Sequence, residues 1–381
     1  MFKKNNKKIK VLFVLPSLAG GGAQRVVLNL LNYLNPALFD INFLLFVKEG
    51  RLISFLPKNI PVMTLHVKKL RYAFPSLIKI IRRSKPDILF STLGHVNIAL
   101  ILFKFLMPIN TALIIREANT PSISLKASKY SLLFRKLYKT LYKYADHVIA
   151  LSEGIADELI ANNNIPPPKV SVIYNPVDVD HIRNSIKDIK RKQYDALHFV
   201  CSGRLIKQKG FDRLIKLLPD FPTHAIVSIL GEGPDLDFLK NLAKKYNVVD
   251  RVKFLGFQQN PWEWYAGADA FLMPSRWEGM PNAALEALAC GCPVIGTPES
   301  GALHEISKNI KNKSIIIASI SNEFLNAVKN TKIRNVQSIE KSLLYYRNEM
   351  DFAIEQFSNL FCKIMGNAKH IKPTSVNKNI K

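Results

Sequence analysis

The stretch SRWEGMPNAALEALACGCPVIGTPESGALHEI, residues Ser275 to Ile306, carries the most specific pattern in this chain. The apolar run AFLMP precedes it, which predicts a strand that ends at Pro274. Ala and Leu then dominate the run NAALEALACG, which predicts a helix that Asn282 caps and Gly291 ends. A strand, a Gly-rich turn and a helix in this order are typical of an α/β domain.

Two carboxylates lie in this stretch, Glu278 in the turn and Glu286 about one turn into the helix. Between them, the main-chain amides of Gly279 to Ala283 are expected to lack helical partners. Such amides and the positive end of a helix favour phosphate or sugar oxygens, and a carboxylate accepts hydrogen bonds from ribose hydroxyls. The pattern predicts a site for a polyhydroxylated anion. The alternative is that Glu278 caps the helix and Glu286 is solvated.

A cationic loop lies about seventy residues upstream. In CSGRLIKQKGFDRLIKLL, the apolar strand HFVCSG breaks at Gly203 and a helix begins near Phe211, which leaves Arg204, Lys207 and Lys209 at the carboxyl edge of the strand. Ligands of parallel α/β sheets bind at this edge, so the cations suit a diphosphate. The alternative is an ordinary solvated surface.

The order of these motifs, with the turn GEGP that starts at Gly231, resembles glycosyltransferase family 4, the retaining nucleotide-sugar transferases of the GT-B fold. The resemblance covers nearly the whole chain, and its most specific part is EGMPNAALEALACGCPVIGT. It implies an α/β protein of GT-B architecture. Two Rossmann-like, doubly wound domains would face a central cleft, and a C-terminal helix would cross back to the first domain.

Length and element order place the domain boundaries of this 381-residue chain. Strands and helices alternate along both halves, which favours parallel sheets covered on both faces. We expect an acceptor-binding domain over residues 1–185 and a nucleotide-sugar-binding domain over 186–345, with a Lys-rich linker at 183–195. Residues 346–365 are expected to form the terminal helix, and 366–381 a disordered tail.

The resemblance also implies roles for residues at the matching positions. Arg204 and Lys209 would stabilise the diphosphate leaving group, and Glu278 would hold the sugar, so these three are the expected catalytic residues. Glu286 would bind the nucleotide ribose. The other residues expected to bind the donor are Gly279, Met280, Pro281, Asn282, Gly203, Gly231, and Gly21 and Gly22 of the loop after the first strand.

Many members of this family carry a histidine close to where Arg116 and Glu117 stand, and that histidine is absent here. His95 follows another predicted strand and is a further candidate, although a lone histidine is often structural. We expect one of these three residues to contact the transferred sugar or the acceptor. The sequence leaves open whether His95 or the Arg116–Glu117 pair does so.

Charge limits the class of partner. The formal net charge is +25, and residues 1–190 hold 28 Lys or Arg against 11 Asp or Glu. A basic, aromatic helix over Lys126–Ala145 predicts contact with an anionic membrane surface. Charge alone would also suit nucleic acid, but no nucleic-acid-binding motif accompanies it, so we expect no nucleic acid partner.

Four cysteines, Cys201, Cys290, Cys292 and Cys362, fit neither a disulfide framework nor a zinc site, which indicates a reducing cytoplasm. No apolar window is long enough to span a bilayer, so we expect a peripheral protein at the cytoplasmic face of the cell membrane. No Asp-x-Asp motif stands in a suitable loop, and two cations already supply positive charge. We therefore expect a metal-independent reaction without a cofactor.

The expected function is transfer of a sugar from a nucleoside diphosphate sugar to an acceptor hydroxyl, with retention, as the resemblance implies. We expect a UDP-sugar donor of hexose or N-acetylhexosamine type. The acceptor is expected to be a saccharide, lipid-linked, in surface polysaccharide or lipopolysaccharide biosynthesis. Two alternatives stay open: a basic nucleic-acid-binding protein without catalysis, and a sugar-phosphate synthase or phosphorylase-like enzyme with the same fold.

Overall fold

A computed structural model describes residues 7–67, 70–124, 131–187, 196–310, 314–334, 342–345 and 348–366. Strands and helices alternate through these ranges. The strands are β1 (Ile9–Leu15), β2 (Phe39–Leu45), β3 (Val62–Thr64), β4 (Ile88–Ser91), β5 (Ala112–Glu117), β6 (His147–Ala150), β7 (Val170–Val172), β8 (His198–Ser202), β9 (Ile226–Leu230), β10 (Val252–Gly256), β11 (Ala270–Met273), β12 (Val294–Gly296) and β13 (Ile315–Ile317). The α-helices are α1 (Gly22–Tyr33), α2 (Leu70–Ser84), α3 (Gly94–Leu102), α4 (Pro121–Ser124), α5 (Ser131–Leu141), α6 (Glu153–Asn163), α7 (Val179–Ile186), α8 (Phe211–Leu217), α9 (Leu236–Lys245), α10 (Trp262–Gly267), α11 (Asn282–Ala289), α12 (Leu303–Asn309), α13 (Asn322–Lys329) and α14 (Met350–Ile364).

The strands form two sheets, ordered β3-β2-β1-β4-β5-β6-β7 and β10-β9-β8-β11-β12-β13. The central pairs of the two sheets, β1 with β4 and β8 with β11, are parallel. In both sheets the chain starts in the interior, adds strands on one side and then returns to the other. A topological switch point therefore falls between β1 and β4 and between β8 and β11. This order confirms the predicted pair of doubly wound, Rossmann-like folds.

The continuous apolar runs of the sequence lie where a parallel sheet buries both of its faces. Every residue of β4, β6 and β11 is buried. Helices supply the covering layer of the second sheet, because Leu214 of α8, Leu239 of α9 and Phe324 of α13 join one buried cluster with Phe199 of β8 and Val227 of β9. Runs without alternation are what such two-sided burial requires.

The chain divides into two compact units. The first comprises the described parts of Met1–Arg116, Tyr144–Val148 and Ala353–Lys381, and the second those of Glu117–Lys143 and Ile149–Phe352. Strands β1 to β4 lie in the first unit and β8 to β13 in the second. The domain boundaries expected from the sequence stay predictions.

The C-terminal helix α14 contributes to the core of the first unit. Phe357 and Phe361 pack edge-on against Phe90 of β4, with ring centroids 6.2 and 6.0 Å away, and Phe361 also meets Phe39 of β2 at 5.9 Å. Both helix residues are fully buried. Edge-on aromatic pairs add to the stabilisation from burial itself. The predicted crossing of the terminal helix to the first sheet is thereby confirmed.

The terminal helix α14 covers Met350–Ile364. Its expected start at residue 346 stays a prediction, because residues 346 and 347 lie outside the described residues. The expected start of the linker at residue 183 is wrong. The predicted linker overlaps α7, which runs to Ile186 and is capped by Asp178. Its apolar residues Ile182 and Ile186 are buried at helical spacing, but the surrounding polar residues obscure this pattern in the sequence.

Several predictions fall outside the described residues. These are the predicted tail beyond Gly366, most of the predicted linker, and the first residues of the basic helix, Lys126 and Lys129 among them. Of the helices that the structure describes, none is both long and apolar enough to cross a bilayer.

Candidate functional site

Topology brings the cationic loop beside the first predicted carboxylate. Arg204, Lys207 and Lys209 follow β8, and Glu278 follows β11. These two strands are parallel neighbours at the switch point of the second sheet, so both loops leave the same edge. Arg204 and Lys207 are exposed there, which leaves their charges accessible to a ligand.

Lys209 and Glu278 form an ion pair, with Nζ 2.6 Å from Oε1. The side chain of Glu278 is 7% exposed and that of Lys209 22% exposed, so the pair is mostly shielded from water. The Ser275 hydroxyl donates to the same carboxylate oxygen at 2.9 Å. A shielded carboxylate requires such partners, because an unpaired buried charge is strongly destabilising. No sequence pattern indicates this role for Ser275.

Two of the predicted glycines make room for this ion pair. A Cβ at Gly203 would lie 3.0 Å from Cε of Lys209, so the lysine stem crosses the main chain there. Gly231 has φ of +137°, and a Cβ at that position would lie 1.9 Å from the Gly203 carbonyl oxygen. Only glycine allows so close an approach at such a backbone angle. Their packing role is clear, and their role in donor binding stays a prediction.

A bidentate ion pair ties the first turn of α8, directly after the cationic loop, to the loop after β11. Arg276 donates from Nη1 and Nη2 to the two carboxylate oxygens of Asp212, at 2.7 Å each. Its Nη1 also donates to the Lys207 carbonyl at 2.8 Å, and Gln208 Nε2 donates to the Trp277 carbonyl at 3.0 Å. Two parallel hydrogen bonds between a guanidinium and a carboxylate fix the relative orientation of the two groups as well as their distance. Arg276 and Asp212 both lie within the two sequence motifs, but no sequence pattern predicts that they pair with each other.

The arginine also controls the charge state of its partner. Burial alone would raise the pKa of Asp212, but the hydrogen bond and positive charge of Arg276 outweigh burial and lower this pKa. The hydrogen bond to Asp212 in turn raises the pKa of the Arg276 guanidinium, although partial burial opposes the shift. Both shifts favour the charged forms, so the pair is ionised at neutral pH.

Helix α11 begins at Asn282, and its N-cap position is held by Pro281 without a side-chain cap. The prediction that Asn282 caps the helix is therefore wrong, as is the alternative that Glu278 does. The Asn282 side-chain oxygen instead accepts a hydrogen bond from Asn175. The predicted end is confirmed, because Gly291 has φ of +75° and the amides of Gly291 and Cys292 donate into the last turn at 2.9 Å each.

The turn between the two carboxylates is buried and closely packed. A Cβ at Gly279 would lie 2.2 Å from the carbonyl oxygen of Ala118, so this position accepts only glycine. The amide of Asn282 donates to the Met280 carbonyl at 3.1 Å and is not available to a ligand. Within the described chain, the amides of Gly279 and Met280 donate to no other main-chain group. These two amides suit an anionic or hydroxyl oxygen.

Glu286 is half-buried on α11 and is held by an aromatic residue that the sequence does not indicate. Trp262 Nε1, at the start of α10, donates to Oε2 of Glu286 at 3.1 Å. The ring of His181 packs edge-on against Trp262 with centroids 5.2 Å apart. Glu286 is therefore oriented by the protein, in contrast to the solvated side chain of the alternative interpretation.

Three predicted residues lie at the corresponding edge of the first sheet. Gly21 and Gly22 are exposed at the N-terminus of α1, which follows β1. His95 is the second residue of α3, which follows β4. Neighbouring protein atoms desolvate its imidazole and lower its pKa. The side chain of His95 is exposed to solvent.

Arg116 and Glu117 lie at the end of β5 and are only 1% and 2% exposed. Arg116 Nη1 donates to the Thr92 hydroxyl at 2.7 Å, and the Tyr142 hydroxyl donates to Glu117 Oε2 at 2.7 Å. Burial, followed by the Glu117 charge, raises the pKa of Tyr138. Both charged residues thus have internal hydrogen bonds. Their contact with a sugar or an acceptor stays a prediction.

We expect Asp212→Asn to lower the free energy of unfolding by about 1.5 to 3 kcal/mol at neutral pH, because Arg276 loses a charged, bidentate partner. The pKa of Asp212 is lowered by folding, so this stabilisation is present above its unfolded pKa and disappears as pH falls through the folded value. Urea unfolding of both proteins across acidic and neutral pH measures the difference.

Asp220→Asn is the matched control, since Asp220 is exposed on the turn after α8. Its effect should stay within about 0.5 kcal/mol. If the two variants were equally stable at neutral pH, the fork between Arg276 and Asp212 would not be what holds the loops together.

Two family models match successive parts of the chain. The model described as Glycosyltransferase Family 4 matches residues 20–181, and the model described as Glycosyl transferases group 1 matches residues 182–335. The second match contains the whole sheet from β8 to β13, with both loops of the candidate site.

Two relatives whose names state an activity are similar over most of their length. The N-acetylgalactosamine-N,N'-diacetylbacillosaminyl-diphospho-undecaprenol 4-alpha-N-acetylgalactosaminyltransferase of Campylobacter jejuni is 32% identical over 302 residues, covering 76% of this chain and 81% of that protein. The UDP-Gal:alpha-D-GlcNAc-diphosphoundecaprenol alpha-1,3-galactosyltransferase of Escherichia coli is 27% identical over 374 residues, covering 88% and 92%.

A crystal structure of Anabaena Alr3699/HepE in complex with UDP and glucose is 19% identical in sequence and matches with a TM-score of 0.71, covering 92% of this chain and 99% of that one. At this identity the likeness concerns the fold, and it agrees with the two doubly wound sheets described above. The family models and the Campylobacter relative together show that this chain belongs to glycosyltransferase family 4 and is a glycosyltransferase of the GT-B fold.

Proposed function

We propose that this glycosyltransferase moves a sugar from a nucleoside diphosphate sugar to a hydroxyl of a lipid-linked saccharide, with retention of the anomeric configuration. The ion pair of Lys209 and Glu278 at the β8/β11 switch point is the observation that carries the proposal. It places a cation suited to a diphosphate beside a carboxylate suited to sugar hydroxyls. Glu286 follows on α11, one helical turn further.

The diphosphate of the donor lies, in this proposal, at the carboxyl edge of β8. Arg204 and Lys209 supply positive charge there, and the amides of Gly279 and Met280 supply hydrogen-bond donors. As the bond between sugar and diphosphate breaks, negative charge grows on the leaving oxygen, and preorganised cations lower the energy of that state. Because two side chains provide this charge, the proposed reaction needs no metal ion.

Glu278 changes partner when the donor binds. In the structure its charge is compensated by Lys209. A diphosphate offers Lys209 a more highly charged partner, and the carboxylate then accepts hydrogen bonds from hydroxyls of the sugar. Since a shielded charge that loses its partner is destabilising, the two exchanges must occur together. Donor recognition by the diphosphate and by the sugar is therefore coupled.

Glu286 binds the ribose in this proposal. The Trp262 indole fixes one carboxylate oxygen at 3.1 Å, which limits the rotation of the side chain. A carboxylate held in one orientation can accept hydrogen bonds from two neighbouring hydroxyls, and less conformational entropy is lost on binding. Trp262 is thus a positioning residue for the nucleotide.

The activities named for the two relatives support the donor and acceptor classes. One name specifies N-acetylgalactosaminyl transfer to a diphospho-undecaprenol saccharide, and the other specifies UDP-galactose and a diphosphoundecaprenol acceptor. We therefore propose a UDP-hexose or UDP-N-acetylhexosamine donor and a role in lipopolysaccharide or surface polysaccharide assembly. Exposed Arg135, Lys136 and Lys139 on α5 suit an anionic cytoplasmic membrane face.

A donor screen tests this function. The purified protein is incubated with a panel of UDP-, GDP- and dTDP-sugars and a polyprenyl-diphosphate-linked saccharide, and the released nucleoside diphosphate is measured. We expect release with a UDP-sugar that depends on the lipid-linked acceptor and persists in EDTA. Release that requires a sugar phosphate, or phosphorolysis of a glycan, would instead indicate the synthase or phosphorylase alternative. Proton coupling constants of the product anomer report retention.

We expect Arg204→Ala and Lys209→Ala each to lower turnover at least about 100-fold, since each removes a cation from the place where negative charge develops. The control is Lys216→Ala, which removes an exposed cation of α8 outside the two loops. Steady-state kinetics of the folded variants measure the change in turnover. Turnover at the wild-type rate in either loop variant would contradict the proposal that this residue stabilises the diphosphate.

We expect Glu286→Ala to raise the donor KM by about 10- to 100-fold, because hydrogen bonds to a charged group contribute about 1.5 to 3 kcal/mol. Trp262→Phe keeps an aromatic ring but removes the N–H, so it should raise KM in the same direction by less. Glu263→Ala, an exposed carboxylate on α10, is the control. Unchanged nucleoside diphosphate affinity of Glu286→Ala by calorimetry would contradict the ribose assignment.

A further inference from the structure

Large apolar side chains project from one turn of the first unit. The turn follows α3, and within the described chain Phe105 is 78% exposed and Ile109 is 99% exposed. Leu102 and Leu106 are exposed on either side of Phe105, and Tyr72 of α2 and Tyr144 are exposed as well. We name the set the apolar wedge: Leu102, Phe105, Leu106, Ile109, Tyr72 and Tyr144.

Aromatic contacts connect the turn to α2. The ring of Phe103 packs on that of Phe74 with centroids 4.1 Å apart, and Phe105 stacks on Phe103 at 6.5 Å. Tyr72 lies on the same helix as Phe74, α2. The exposed apolar groups of residues 102–109 are clustered in one turn, whereas isolated exposed apolar residues are ordinary on a soluble protein.

Polar bonds at the base hold the turn in place. Lys104 Nζ donates to the Tyr144 carbonyl at 3.0 Å and to Oδ1 of Asp146 at 2.6 Å. The other oxygen of Asp146 accepts from the Leu113 amide at 2.7 Å. Met107 is buried beneath the turn. These contacts direct Lys104, the one charged side chain of residues 102–109, toward the protein, and Leu102, Phe105, Leu106 and Ile109 stay exposed.

The surroundings of the apolar wedge are basic. Residues 1–116 contain 18 Lys or Arg and 3 Asp or Glu. On α2, the helix that contacts the turn, Arg71, Lys79, Arg82 and Arg83 are all exposed. An apolar centre with cations around it is the composition of a protein surface that binds the headgroup region of an anionic bilayer.

We propose that the apolar wedge inserts into the headgroup and upper acyl region of an anionic membrane leaflet. Phe105, Ile109 and the two leucines enter the apolar boundary, the tyrosines lie at the polar level, and the α2 cations contact the lipid phosphates. A nucleic acid would suit the cations, but it offers no apolar phase for the aliphatic side chains. The proposal deepens the membrane placement given under the proposed function and identifies the residues that make it.

Vesicle flotation of the full-length protein tests the proposal, with phosphatidylcholine vesicles that contain or lack 30% phosphatidylglycerol. The test variant is Phe105→Ser with Ile109→Ser. The matched control is Phe238→Ser with Ile333→Ser, which removes one exposed phenylalanine and one exposed isoleucine from the second unit. Because all four side chains are exposed, both double variants should keep the thermal unfolding midpoint of the wild type.

We expect the wild type and the control variant to bind anionic vesicles, and the test variant to bind at least about tenfold more weakly, because two apolar groups no longer enter the bilayer. A charge variant, Lys79→Gln with Arg82→Gln and Arg83→Gln, should lose binding at low salt, and high salt should weaken the wild type. Equal vesicle binding by test and control variants would overturn the proposal. So would a wild type that binds duplex RNA but no anionic vesicles.

The test is independent of turnover. Failure of the donor screen would leave vesicle binding as measured, and failure of vesicle binding would leave nucleotide binding and turnover on a soluble acceptor analogue intact. The two proposals can therefore be rejected separately.

Discussion

The ion pair between Lys209 and Glu278 is the interaction on which the candidate site depends. It joins two loops that leave neighbouring parallel strands, so its 2.6 Å distance depends on the pairing of β8 with β11. A shielded pair is stable only while both partners stay in place. Ser275 fixes the carboxylate, and the fork from Arg276 to Asp212 fixes the loops. The preference for glycine at Gly203 follows from the same contact.

The arrangement of charged side chains differs between the two units. In the second unit, two ion pairs lie beside the switch point, Lys209 with Glu278 and Arg276 with Asp212. In the first unit, basic residues greatly outnumber acidic ones, and α2 exposes several of them. Paired charges suit a ligand that enters and exchanges partners, whereas an excess of one sign suits a large surface of opposite charge.

Much of the fold could be predicted because its signals are local. Uninterrupted apolar runs specify strands buried on both faces, and Gly291 ends α11 through its own backbone angle. The cationic loop and Glu278 could be placed together because the carboxyl ends of parallel strands share an edge of the sheet. Where local signals compete, prediction failed: Pro281 holds the N-cap position, and a long-range bond to Asn175 draws Asn282 away from capping.

The rest of the site depends on tertiary distances that sequence spacing does not encode. Trp262 reaches Glu286, and Arg276 reaches Asp212, across stretches whose path is set by the packing of whole helices and strands. The sequence also does not show which apolar side chains are exposed. Phe105 and Met107 are both apolar and lie two residues apart, yet Phe105 projects outward and Met107 is buried. The buried positions of Arg116 and Glu117 also follow from the packing around β5 and have no local signature.

A double-mutant cycle of Lys209→Met and Glu278→Gln tests most directly whether one ion pair organises the donor site. The free energy of unfolding is measured for the four proteins without nucleotide and with a saturating nucleoside diphosphate sugar. Without nucleotide, a coupling of about 1.5 to 3 kcal/mol is expected, because each charge is shielded and paired with the other. With nucleotide, the coupling should fall as Lys209 turns to the diphosphate. Strictly additive effects without nucleotide, or a coupling that nucleotide leaves unchanged, would contradict this account.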